Sequence, residues 1–155
     1  MTEFKGFTEK SNAALNRAMD IAMRLGHTFV GSEHILYGLS AGRDGAAALL
    51  LHRHGVKEND ILAGTERIMG RGISTRLTIR DFTPLSKRIL EHAIDFASQD
   101  GRCPAGTEYL LAAILSERLL FCSFVPMLIP PFCIRFVQPV RRVSMPWHTH
   151  LRRRM

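Results

Sequence analysis

After Glu117 the 155-residue chain contains no aspartate, glutamate or lysine. Seven arginines lie beyond that point, at 118, 135, 141, 142, 152, 153 and 154, and they account for the whole net charge of +7. A strongly basic chain ordinarily points to nucleic acid or an anionic membrane surface. Here the signal is confined to the tail, because residues 1–117 carry 14 basic and 14 acidic side chains. Cysteine is scarce and odd in number. Cys103, Cys122 and Cys133 have no CxxC spacing, which excludes a disulfide framework and predicts a reducing, cytoplasmic setting. No basic start followed by an apolar run opens the chain, so no secretory signal is read and the mature chain is expected to begin at or near Met1.

Long apolar runs are missing too. The longest uncharged stretch, Leu119 to Ile134, has 16 residues and three prolines. That falls short of the roughly 20 residues a spanning helix needs, and membrane association is disfavoured. Also absent are G-x-x-x-x-G-K-[ST], a nucleophile elbow and HExxH, which removes the usual phosphate cradle, serine nucleophile and zinc-protease helix. No catalytic residue, metal ligand or cofactor is therefore assigned. His52 and His54 lie two apart on a predicted helix and point to different faces, which suits a solvated helix end better than a metal. His148, His150, Cys122 and Cys133 have no recognised zinc spacing.

What the chain does contain is one stretch written twice. Residues 7–40 and 82–115 align at a constant offset of 75 without a gap, with 11 identities in 34 positions. The shared residues include Phe7/Phe82, Thr8/Thr83, Ser11/Ser86, Leu15/Leu90, Gly26/Gly101, Gly31/Gly106 and Glu33/Glu108. A repeat is one packing unit used twice.

Each copy opens on a helix. Ala14, Leu15, Ala18, Met19, Ala22 and Leu25 recur at spacings of three and four, forming one apolar face that Gly26 ends. Thr8 is the expected N-cap, and Thr83 has the further advantage of Pro84 at the first helical position. Gly31-Ser32-Glu33 and Gly106-Thr107-Glu108 then read as a glycine turn, a hydroxyl N-cap and an acid favoured by the helix dipole. Short helices over 34–39 and 109–115 are expected to follow. The first repeat continues with helices over 46–54 and 58–69, making four, and 70–75 has a linker's composition.

The second repeat does not continue this way. Five of the seven prolines fall at 126, 130, 131, 139 and 146, and an interior proline costs a helix roughly 3 kcal/mol, so two further helices are not expected. The loss would uncover Ile89, Leu90, Ile94 and Leu111, at about 25 cal/mol for each Å² left in water. A looser second repeat is expected unless the tail substitutes. The abrupt change of composition suggests an altered reading frame or a truncated gene, which reading the coding DNA in its other frames tests.

The pattern FTxxS…A…G….GSEHIL and its second copy FTPLSKRIL…GTEYLL resemble the double Clp N domain, closest to the ClpC/ClpA class of AAA+ unfoldases. The resemblance covers residues 4 to about 116. It implies an all-helical fold and a module that binds adaptor proteins and marked substrates and passes them to an ATPase ring. ClpC-type domains that recognise phosphorylated arginine use the threonine after the opening phenylalanine and the glutamate of the GTEH box. Those positions are Thr8 and Glu33 in the first repeat and Thr83 and Glu108 in the second. A carboxylate takes a guanidinium in a bidentate pair, and a capped helix N-terminus favours the attached phosphate. The same residues also serve as caps and dipole-complementing acids, and both roles can hold together.

The expectation is thus an all-α domain of two tandem pseudo-repeats of a four-helix unit, the second incomplete. Its parts are repeat one at 7–69, a linker at 70–81 and a partial repeat at 82–117, with a Pro/Arg-rich tail at 118–155. Its expected role is non-catalytic recognition of adaptors and tagged proteins, with a Clp ATPase as a further partner and no specific nucleic acid. The alternatives are a nucleic-acid or membrane-surface binder acting through the basic tail, or a nonfunctional truncated gene product.

Overall fold

The computed structural model describes residues 2–43, 45–73 and 76–121. Six α-helices occur among them: α1 (Glu9–Leu25), α2 (Ser32–Ser40), α3 (Ala46–Arg53), α4 (Glu58–Met69), α5 (Pro84–Gln99) and α6 (Thr107–Phe121). The first repeat supplies α1–α4 and the second supplies α5 and α6. A single 3-10 turn, Ile79–Asp81, leads into α5. The expected tail beyond Phe121, including its prolines and arginine cluster, lies outside the described residues.

α1 forms where its apolar spacing predicts. Ala14, Leu15, Ala18, Met19, Ala22 and Leu25 are all buried, and Thr8 caps the helix by accepting the Ser11 N–H. Gly26 ends it at φ 74°, where a side chain would be strained and would also strike the Gly72 backbone. α1 packs on α2, and α2 in turn touches α3, α4 and α5, so α2 is central to the bundle. The core joins Leu15 and Ile35 from the first repeat to Ile89 and Leu110 from the second. Each is buried to within 1% of full coverage, worth roughly 1.5–3 kcal/mol relative to exposure.

The second repeat is better covered than its length implies. α6 runs to Phe121, well past the predicted end near Leu115. Ile89 and Leu111, which the missing helices would uncover unless the tail substitutes, are buried at 1% and 7% exposure, and Leu90 and Ile94 pack partly buried against the same core. Glu117 is buried at 5% exposure, where its carboxylate meets Arg88 Nη2 at 3.3 Å and His92 Nδ1 at 3.2 Å on α5. These two contacts tie the third turn of α6 to α5.

The two repeats are joined by a reciprocal seam. Phe7 forms a parallel bridge with Ala105, and Phe82 forms one with Val30. At the offset of 75 these are the same bridge with the roles of the repeats exchanged. Thr8 N donates to Ala105 O (3.0 Å) and Ala105 N to Gly6 O (2.8 Å); Thr83 N donates to Val30 O (3.1 Å) and Val30 N to Asp81 O (2.9 Å). The shared serines complete the exchange, since Ser11 Oγ donates to Ala105 O and Ser86 Oγ to Val30 O, both at 2.9 Å. Each opening segment thus pairs with the helix–helix loop of the other repeat.

Candidate functional site

The seam decides which predicted site residues meet. Val30 leads directly into Gly31-Ser32-Glu33, and its pairing partner is Phe82-Thr83, not Phe7-Thr8. Ala105 leads into Gly106-Thr107-Glu108 and is paired with Phe7-Thr8. Grouping Thr8 with Glu33 and Thr83 with Glu108, as the order of the chain suggests, therefore gives way to a crossed arrangement. The α5 start stands beside the Glu33 turn and the α1 start beside the Glu108 turn. The loop that carries each carboxylate is thus hydrogen-bonded to the helix start of the other repeat.

Both threonines have their hydroxyls committed in the same way. Ser11 N donates to Thr8 Oγ1 (3.3 Å), and because the Ser11 hydroxyl proton is spent on Ala105 O, Thr8 Oγ1 donates to Ser11 Oγ (3.0 Å). Ser86 N donates to Thr83 Oγ1 (3.1 Å), and Thr83 Oγ1 donates to Ser86 Oγ (2.9 Å). Each threonine oxygen keeps one lone pair for an incoming N–H. The two starts differ in one respect: Pro84 has no N–H where Glu9 has one, so the α5 start has one amide donor fewer for an anion.

The turns depart from the expected caps. Gly31, not Ser32, is the N-cap of α2, and Ser32 already lies within the helix. Its hydroxyl donates to Glu33 Oε2 at 3.3 Å. Thr107 likewise opens α6, and its buried hydroxyl accepts the Ala47 N–H at the start of α3 (3.3 Å). The shared glycines have a steric cause. A Cβ on Gly31 would fall on the Glu33 carboxylate and one on Gly106 on the Glu108 carboxylate, so each acid folds back over its own turn.

Sequence reasoning missed His34, which closes the α2 N-terminus. Its Nδ1 accepts the Gly31 N–H at 2.9 Å, the role glutamate or glutamine ordinarily plays at this position. His34 Nε2 lies 2.8 Å from His27 Nδ1, and His27 Nε2 lies 3.0 Å from Gly70 O. In the second repeat the matching positions are Tyr109 and Arg102, and Tyr109 Oη donates to Asp100 Oδ2 at 2.9 Å instead. Burial, then the Asp100 carboxylate, push the Tyr109 phenol above its usual range. At Glu33, burial works against ionisation, but the His34 ring in its protonated form, the residue's own backbone N–H and the Ser32 hydroxyl act the other way and hold the carboxyl below the ordinary value.

Other features lie apart from this arrangement. A groove of about 380 Å³ along α1, lined by Thr2, Asn16, Arg17, Asp20, Met23 and Leu77 among others, includes none of the four predicted residues. His52 and His54 are exposed at the end of α3, with His52 Nε2 3.6 Å from Glu58 Oε2. Among the described residues no cluster of three His, Cys, Asp or Glu could hold a metal, and no helix is long and apolar enough to cross a membrane.

A helical domain of two repeats that exchange their opening segments is the class of protein the fold defines. Comparison with known proteins agrees. The chain belongs to the Clp repeat (R) N-terminal domain family, whose profile matches residues 6–122. It is 41% identical over 114 residues to an ATP-dependent Clp protease ATP-binding subunit ClpA homolog of Guillardia theta, and 40% identical over 114 residues to the chloroplastic chaperone protein ClpC1 of Arabidopsis thaliana. These alignments cover 74% of this chain but only 14% and 12% of those proteins, so the chain spans about an eighth of their length. In fold it is similar to the N-terminal domain of ClpD from Arabidopsis thaliana, with TM-score 0.59 and 21% identity over 72% of this chain and 78% of that one. The N-domain of ClpV from Vibrio cholerae has TM-score 0.57 and 19% identity, over 86% and 76%.

Proposed function

We propose that this chain is a non-catalytic recognition module that binds adaptor proteins and marked protein substrates on behalf of a Clp ATPase. Its two ligand sites take an arginine bearing a phosphoryl group. The observation that carries this reading is the crossed seam, which sets a carboxylate turn beside a threonine-capped helix start twice over. A phosphorylated guanidinium presents positive character and negative charge side by side. Glu33 and Glu108 would take the guanidinium N–H groups, and the α5 and α1 starts, with Thr83 and Thr8, would face the phosphoryl oxygens.

Glu33 is ionised at neutral pH, as a guanidinium partner must be. The committed hydroxyl protons of Thr8 and Thr83 mean that backbone amides contribute most of the phosphate contact unless the hydroxyls re-aim on binding. Because α1 begins with Glu9 and α5 with Pro84, the Thr8/Glu108 site has one more backbone amide for the phosphoryl oxygens. Calorimetric titration of phosphoarginine into the purified chain tests the reading. Two sites are expected, with Glu33→Ala removing one; an affinity and stoichiometry untouched by Glu33→Ala ends the assignment.

A further inference from the structure

One buried feature has no counterpart in the second repeat: the imidazole pair behind Glu33. His34 and His27 are 1% and 7% exposed, and their rings meet edge to face at 5.0 Å. Phe29 closes over both rings, at 6.0 Å from His27 and 6.3 Å from His34. The hydrogen-bond directions form one consistent chain. Gly31 N–H can only donate, so His34 Nδ1 carries a lone pair and its proton sits on Nε2. That proton points at His27 Nδ1, which leaves the His27 proton on Nε2, aimed at Gly70 O. Both rings are neutral in this arrangement and every partner is satisfied.

His34 Nδ1 has a second neighbour, Glu33 Oε1 at 3.2 Å. A single ring nitrogen cannot accept from Gly31 and donate to Glu33 at once. The two contacts are alternatives, and one proton chooses between them.

We propose that the His27–His34 pair is a proton switch on the Glu33 site. When His34 takes up a proton, its Nδ1–H turns from acceptor of the Gly31 N–H to donor toward the Glu33 carboxylate. The resulting imidazolium–carboxylate pair competes with any cationic ligand for Glu33, while Nε2–H keeps its bond to His27. The charged groups near this pair support the direction. Glu33 on α2 is the facing carboxylate; on the α4 side, beside Gly70, Glu66 and Arg71 are paired with each other at 2.7 Å and offer no net charge. The Glu108 site lacks the switch, because Tyr109 stands where His34 does and its hydroxyl is bound to Asp100. The switch regulates the site of the reading above and rests on it only for the identity of the ligand.

Nitrogen-15 NMR of the histidine rings in the full chain, between about pH 8 and pH 5 where imidazole changes charge, tests it. At the alkaline end His34 Nδ1 is expected at the shift of an unprotonated ring nitrogen. As the ring titrates, the Gly31 amide proton should move with it, and this coupled movement should shrink in Glu33→Gln. A protonated Nδ1 at pH 8, or a Gly31 amide that ignores the titration, overturns the switch whatever the ligand is. Phosphoarginine calorimetry then reads the consequence. In Glu108→Ala, where only the Glu33 site remains, affinity should fall by up to about tenfold per pH unit below the ring's titration, relative to Glu33→Ala. The ligand's own titration is common to both variants and cancels. Equal pH profiles in the two variants overturn the proposal, and His34→Gln, which can keep the Gly31 cap without a titrating proton, should flatten the profile. Absence of phosphoarginine binding at every pH defeats the ligand reading, while the ring shifts still decide the switch.

Discussion

Removing the serine hydroxyls of the seam tests the crossed architecture most sharply. Ser86 is fully buried, and its Oγ donates to Val30 O at 2.9 Å. In Ser86→Ala that carbonyl keeps the Thr83 N–H at 3.1 Å, so it is not orphaned. The half-buried Thr83 hydroxyl loses its acceptor but can turn to water. The net cost is that of one buried hydrogen bond without a stranded partner, about 1–2 kcal/mol. Ser11→Ala is equivalent on the other half of the seam, and since the two serines share no partner, the double variant should cost roughly 2–4 kcal/mol by addition. With a urea slope of about 2 kcal/mol/M, a single variant should lower the unfolding midpoint by roughly 0.5–1 M.

The local signature matters more than the size of the loss. Ser11→Ala should raise amide exchange at Ala105–Glu108 in the other repeat and leave Val30–Glu33 protected, with the reverse for Ser86→Ala. Loosening confined to the loop of the mutated serine's own repeat would refute the crossed seam, even if the stability change came out as expected.

Further outcomes follow from individual contacts. Gly106→Ala places a methyl on the Glu108 carboxylate and should displace it, weakening phosphoarginine binding at that site in calorimetry while unfolding stays cooperative. Ile89→Ala empties a position 1% exposed in the shared core and should cost about 2–5 kcal/mol in chemical denaturation, more than expected for a helix at the frayed edge of a truncated repeat. Glu117→Ala frees Arg88 and His92, which are 49% and 39% exposed and can hydrate, so the loss should stay near 1–3 kcal/mol, below that of a fully buried pair. Because Glu33 has its carboxyl pKa lowered in the fold, its contribution is present above the ordinary value of 4.5 and lost as pH falls through the lowered one. Glu33→Gln should therefore flatten the acid limb of the stability profile, read by chemical denaturation at a series of pH values.

The helices and the doubled unit were readable in the sequence because they rest on local rules. The α1 face repeats every three or four residues, Thr8 and Thr83 cap where their hydroxyls can reach a first-turn N–H, and Gly26 stops a helix that only a left-handed residue can end so. The crossed seam was not, because single-residue bridges between residues about 50 to 100 positions apart have no period. The identity of Ser11 with Ser86 was visible, but a serine in the first turn reads as part of a cap until its distant acceptor is known. Ser32 and Thr107 read as caps in the sequence because residue type alone does not say whether a hydroxyl stands at the N-cap or one residue inside it. His34 gives no such signal: glutamate or glutamine ordinarily closes a capping box at the third helical position, and its partner His27 lies across a turn.

Phosphoarginine titrated calorimetrically into the wild-type chain and into Glu33→Ala, Glu108→Ala and the double variant counts the sites. Two are expected in the wild type, one in each single variant and none in the double. Binding that survives in the double variant with wild-type affinity and stoichiometry contradicts the two-site reading.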